Sequence, residues 1–263
     1  MLERSKKIGL YTSPFYMKRF DNIWVDGKQV DAIEAYYLQY KQTFQAFDLT
    51  PFEEETALAF IVFKLLDIDI AIVEVGLGGT HDATNVIEAE VSIITSCSIE
   101  HEEILGPTLY DIATHQAGII KRSQHVILSP TLTIDVFEKR IKHMQAMNMS
   151  FIEYPYLIMP SYQHANASLA YTAYRYFEPK IEVIQSLKML PFRFERNGHV
   201  IYDGAHNLEG IQLLTQSLKD MKLKPVVIMS TLKTKPTQKM INTLKVQASS
   251  MYVTTFDYSD AID

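Results

Sequence analysis

Glu74 lies in the run I-V-E-V-G-L-G-G, where a bare carboxylate among apolar neighbours would be costly. Its partner must be a cation, a proton or a set of hydrogen-bond donors, so it reads either as a metal ligand or as a cap on neighbouring backbone amides. The glycines that follow, Gly76, Gly78 and Gly79, do not have the G-x-G-x-x-G spacing of a dinucleotide turn, and on their own they read first as close backbone packing. His101 stands between Glu100, Glu102 and Glu103. Those acids would raise its basicity or join it around a divalent metal, and a surface ion pair is the plainer alternative. In D-G-A-H-N, residues 203–207, Asp203 ends a run of strand character and His206 and Asn207 open a helical one. A strand-end aspartate beside a helix N-terminus can hold a ribose hydroxyl and a phosphate, and Asn207 can also serve as the helix N-cap.

These groups need elements to position them. The apolar run before the glycines predicts a strand buried on both faces, followed by a second strand in V-S-I-I-T-S. Residues 53–66 begin with three acids, as a helix N-terminus favours, and 110–119 follow the Gly106-Pro107 turn, so both predict helices. From about residue 187 the order is strand (H-V-I-Y), helix (208–221), strand (V-V-I-M-S-T), helix (237–248) and strand (M-Y-V-T-T-F). Leu208, Ile211, Leu214, Leu218 and Met221 recur at three- and four-residue intervals, one buried helical stripe. Two α/β domains, 1–186 and 187–263, are the expected division.

With 263 residues, 47% of them hydrophobic, the chain can bury a substantial core. A net charge of -6 offers no basic field for nucleic acid. The most apolar stretches, 57–66 and 68–73, are too short and too interrupted by charge to span a membrane. The first ten residues have no apolar secretory core, and the single cysteine, Cys97, allows no internal disulfide; both point to the cytoplasm.

Seven stretches stand in one order: G-L-Y-T-S-P, F-E-E-E-T-A-L-A-F, E-V-G-L-G-G-T-H-D-A-T-N-V-I, E-H-E-E-I-L-G, A-G-I-I-K, Y-Q-H-A-N-A-S-L-A and D-G-A-H-N. Together they resemble the folylpolyglutamate synthase/dihydrofolate synthase family of the Mur ligase superfamily. The resemblance implies a P-loop-NTPase-type central domain and a smaller Rossmann-like ligase domain. It also implies that ATP phosphorylates a folate or dihydropteroate carboxylate, which the amine of L-glutamate then attacks, with magnesium neutralising phosphate charge. Carried over by position, Glu74 and His101 become magnesium ligands. Asn166, Arg193, Asp203 and His206 become nucleotide contacts, and Asp82 and Asn85 shape the adjoining loop.

The departures from that pattern carry expectations too. The family's G-T-N-G-K-G-S-T loop would precede G-L-Y-T-S-P by about twenty to thirty residues, yet Met1 stands only eight before Gly9. The chain is therefore expected to lack the phosphate cradle, and to stop at Asp263 before the last part of the ligase domain. Gln116 replaces a lysine that the family carbamylates to hold a second magnesium. Phe15, Thr80 and Tyr162 replace a histidine, an arginine and a histidine. The segment between Lys121 and Tyr162 is short. Two readings follow: a folate-pathway ligase, or a catalytically silent paralogue or truncated product acting at most as a binding partner. Loss of a central strand would also leave a sheet edge open to self-association.

Overall fold

The computed structural model describes residues 6–15, 17–156, 160–180, 191–233 and 235–255. The chain forms two compact units, one from residues up to 126 together with 133–148, the other from 127–132 together with residues from 149 onward. The expected boundary at 186/187 falls outside the described residues.

In the first unit β1 (Ile8–Tyr11), β2 (Ile23–Val25) and β3 (Lys28–Gln29) lead into α1 (Ile33–Ala46), α2 (Pro51–Leu65) and β4 (Ile70–Val73). They form a four-stranded sheet of order β3-β2-β1-β4. β1 runs parallel to β4, pairing Ile8 with Ile70 and Tyr11 with Val73, and antiparallel to β2. The start of α2 is specified locally. The Thr50 hydroxyl accepts from the Glu53 N–H at 3.4 Å, and the Glu53 carboxylate accepts from the Thr50 N–H at 2.7 Å. This capping box encloses Pro51 at the first helical position, whose missing N–H costs nothing in a first turn. Helix α2 then buries Leu58, Ala59, Val62 and Phe63 against Tyr11 and Ile23. Each fully buried large aliphatic side chain there contributes about 1.5–3 kcal/mol.

A second sheet has the order β5-β6-β7, from β5 (Val91–Ile94), β6 (His125–Leu128) and β7 (Met147–Asn148). Its connections carry α3 (Glu102–Leu105), α4 (Leu109–Ala117) and α5 (Val136–Met144). Thr108 and Asp111 repeat the capping box at the start of α4. The helices expected at 53–66 and 110–119 are thus present, displaced by one or two residues.

The expectation of a β4 buried on both faces is corrected. Ile72 is 53% exposed, and β4 ends its sheet with β1 as its one neighbour among the described residues. An apolar run shows that a strand forms, but coverage of its second face and edge depends on what packs there.

The second unit holds α6 (Ser161–Phe177), the antiparallel hairpin of β8 (Glu195–Asn197) and β9 (Val200–Tyr202), α7 (Leu208–Asp220), β10 (Val226–Met229), α8 (Thr237–Lys245) and β11 (Ser250–Val253). The strand and helix order is the expected one. β10 and β11 pair in parallel, Val226 with Ser250 through Met229 with Val253. Ile211 and Leu218 of α7 and Met240 and Leu244 of α8 are buried, with Val227, Met229 and Met251 packed against them. No described helix is long and apolar enough to cross a membrane.

Candidate functional site

In the first unit Glu74 follows β4 directly, and its N–H continues the ladder by donating to the Tyr11 carbonyl at 2.9 Å. Its side chain is exposed, and its Oε2 accepts from the backbone N–H of Ser13 at 3.0 Å. The carboxylate thus ties the T-S-P loop to the end of β4, which realises the amide-capping alternative. An exposed carboxylate also suits magnesium, which takes one or two protein oxygens and leaves its other positions to water and phosphate.

The glycine turn after Glu74 packs closely against the end of α4. The Thr80 N–H and hydroxyl both donate to the His115 carbonyl, at 2.9 and 3.0 Å. A Cβ on Gly79 would meet that same carbonyl at 2.7 Å, and one on Gly118 would meet the Thr80 Cα at 2.6 Å, so neither position accepts a side chain unless backbone moves. Asp82 closes the loop: Oδ2 accepts from the Leu77 N–H at 2.8 Å, and Oδ1 from the Thr84 N–H at 2.9 Å. The Asn85 amide donates to the Thr80 carbonyl at 3.2 Å. Lys121, the lysine of A-G-I-I-K, donates to the carbonyls of Asn85 and Ile87, each at 2.6 Å. Asp82 and Asn85 therefore bond within this loop, and Lys121, which the sequence does not single out, ties it from outside.

His101 has a left-handed backbone (φ 53°) and leads into α3. Its Nδ1 lies 3.8 Å from Glu103 Oε1, the surface pairing named as the alternative. Its nitrogen is also a poorer match than a carboxylate to hard, oxygen-seeking magnesium. Among the described residues no group of three or more His, Cys, Asp and Glu side chains is gathered to hold a metal.

In the second unit Asp203 accepts from the Tyr162 hydroxyl at 2.9 Å, the Phe194 N–H at 3.0 Å and the Ala205 N–H at 2.9 Å. Burial first, and then the Asp203 charge, push the Tyr162 phenol well above its ordinary value. Arg193 lies beside the turn, its Nη1 3.5 Å from where a Cβ on Gly204 would be. His206 is exposed, with Nδ1 2.9 Å from the Gly204 carbonyl. Asn207 caps α7, its Oδ1 accepting from the Gly210 N–H at 2.6 Å, as the spacing predicts. Asn166 is exposed on α6, one helical turn beyond Tyr162. Of the expected contacts, Arg193, Asp203 and His206 are gathered at one turn.

One polar cluster escaped the sequence reading. Arg19 pairs with Glu54 at 2.5 Å and with Glu55 at 3.5 Å, and its guanidinium stacks 4.6 Å from the Phe20 ring and 4.9 Å from that of Tyr37. Both carboxylates are buried, and burial raises the Glu55 pKa, an effect that Arg19 partly offsets. The available signal was the acidic pair itself, placed on a helix whose neighbouring positions are apolar.

No family model matches the chain. It is 29% identical over 299 residues to a folylpolyglutamate synthase from Lacticaseibacillus casei, an alignment covering 94% of this chain and 69% of that protein. It is also 29% identical over 244 residues to the dihydrofolate synthase/folylpolyglutamate synthase of Escherichia coli, covering 81% of this chain and 57% of the relative. Its fold matches that of a Mycobacterium tuberculosis folylpolyglutamate synthase complexed with ADP and AMPPCP at a TM-score of 0.83 and 26% identity, over 98% of this chain and 70% of the other.

Proposed function

We propose that this chain, a relative of the folylpolyglutamate and dihydrofolate synthases in sequence and in fold, serves ATP-dependent attachment of glutamate to a folate-type carboxylic acid. The observation that carries this reading is the Asp203 turn, where an arginine, an exposed histidine and a capped helix N-terminus converge, in a chain whose relatives share the fold along almost its whole length. Such a turn suits the sugar or phosphate of a nucleotide. Magnesium would be held by Glu74, with His101 as a second candidate ligand, and would neutralise phosphate charge. Asn166 would reach the adenine side, and the acceptor would be a folate or dihydropteroate.

Binding of Mg-ADP to the whole chain, followed by calorimetry, tests this. Glu74→Ala should weaken Mg-ADP about tenfold or more and leave metal-free ADP little changed. Equal losses with and without magnesium would remove Glu74 as a metal ligand.

Gln116 favours a second reading, in which the fold is kept without turnover. Its Oε1 is buried and has no hydrogen-bond partner among the described residues, and its neutral amide cannot form a carbamate. The open β4 edge, with Ile72 outward, also supports self-association of copies of this chain along that strand. Sedimentation across a concentration series should then show the mean mass rising, and a constant monomer mass would discard the idea.

A further inference from the structure

Asp203 is a junction. A carboxylate has about four acceptor positions, and three of those on Asp203 are filled by donors from three separate places in the second unit. Two are backbone groups, the Phe194 N–H just before β8 and the Ala205 N–H just before α7. The third is the only side chain among them, the Tyr162 hydroxyl in the first turn of α6. Tyr162 and Asn166 are four residues apart on that helix and so share a face. The Tyr162–Asp203 bond therefore joins the helix that carries Asn166 to the turn that carries Asp203 and His206, next to Arg193.

We propose that Tyr162 is a positioning residue, whose hydroxyl fixes α6 against the Asp203 turn so that Asn166 on one side and Arg193 and His206 on the other stay correctly spaced for a single nucleotide. This rests on the nucleotide reading above. A phenol suits the task because burial and the adjoining carboxylate keep it protonated, and hence a donor, throughout the neutral range. The charged groups that act on it are Asp203 and Arg193, which lie on other segments of the unit.

The test uses the whole chain, with Mg-ADP affinity measured between pH 6 and 8 and amide exchange followed at Phe194 and Ala205. The unaltered protein sets the reference affinity at each pH. Tyr162→Phe should weaken binding about tenfold at every pH and speed exchange at both amides. Tyr162→His keeps a ring N–H that can donate to Asp203 in either protonation state, so it should recover much of the affinity that Tyr162→Phe loses. Tyr162→Phe binding as tightly as the unaltered chain, or Tyr162→His binding no better than Tyr162→Phe, overturns the proposal. No nucleotide binding by the unaltered chain overturns the functional reading itself. Unchanged exchange at Phe194 and Ala205 in Tyr162→Phe removes the tether whether or not nucleotide binds.

Discussion

Arg19→Met should destabilise the chain by about 2–3 kcal/mol at neutral pH, and the deficit should shrink as pH falls. The substitution leaves Glu54 and Glu55 buried without their cation and keeps a side chain of similar reach over Phe20 and Tyr37. Removing one partner of a fully buried ion pair typically costs about 3–5 kcal/mol; the expected loss is smaller here because Arg19 is 36% exposed and water screens it. The direction with pH follows from Glu55. Its folded pKa lies above the ordinary 4.5, burial being the largest cause, so between those two values the native state holds the proton that the unfolded chain releases. Its contribution to stability is complete below 4.5 and is lost as pH rises through the folded value. Arg19 lowers that folded value, so without it the value climbs further and the variant suffers most where Glu55 must be charged. Urea midpoints of the two proteins at pH 5 and pH 7.5 measure this, and an equal deficit at both would show that the carboxylates do not depend on Arg19.

In a chain that also carries a grafted G-T-N-G-K-G-S-T loop, Gln116→Lys should raise glutamate-dependent ADP release in the presence of folate by about two to three orders of magnitude, the usual effect of restoring one preorganised charged group. The resemblance places a carbamate at this position, and a carbamate supplies the negative oxygens for a second metal that the glutamine amide cannot. Gln116 already has a buried side-chain oxygen without a partner among the described residues, and its own side chain carries no charge. The gain should require bicarbonate, because an unmodified ammonium there would repel magnesium. Turnover by the unaltered chain at a rate that Gln116→Lys does not exceed would sink the silent reading and show that the second metal is dispensable.

What could be read from the sequence was what is settled within a few residues of chain. α2 is expected over 53–66 from its run of acids and spans Pro51–Leu65, its start set two residues earlier by Thr50 and Pro51, while α7 is expected over 208–221 and spans Leu208–Asp220, capped by Asn207 as its place in D-G-A-H-N indicates. The glycines at 76–79 pack closely, the first of the readings they allow, and Asp82 and Asn85 bond within the loop where the resemblance put them. What could not be read depends on partners remote in sequence. Tyr162 meets Asp203 across 41 positions and Arg19 meets Glu54 across 35, and no local spacing encodes such pairs. Exposure of β4 was missed for the same reason, since composition shows that a strand is apolar but not whether its second side is covered.

The route of the backbone between the two units has a consequence for how the protein is made. The chain passes from one unit to the other at 126/127, returns at 132/133 and leaves again at 148/149. β7, at Met147–Asn148, pairs with His125 and Val126 of β6 and is the last strand supplied to the first unit. A ribosome therefore delivers six residues of the second unit before the first is complete, and the nascent first unit must wait with β6 unpaired on that side until residue 148 has emerged.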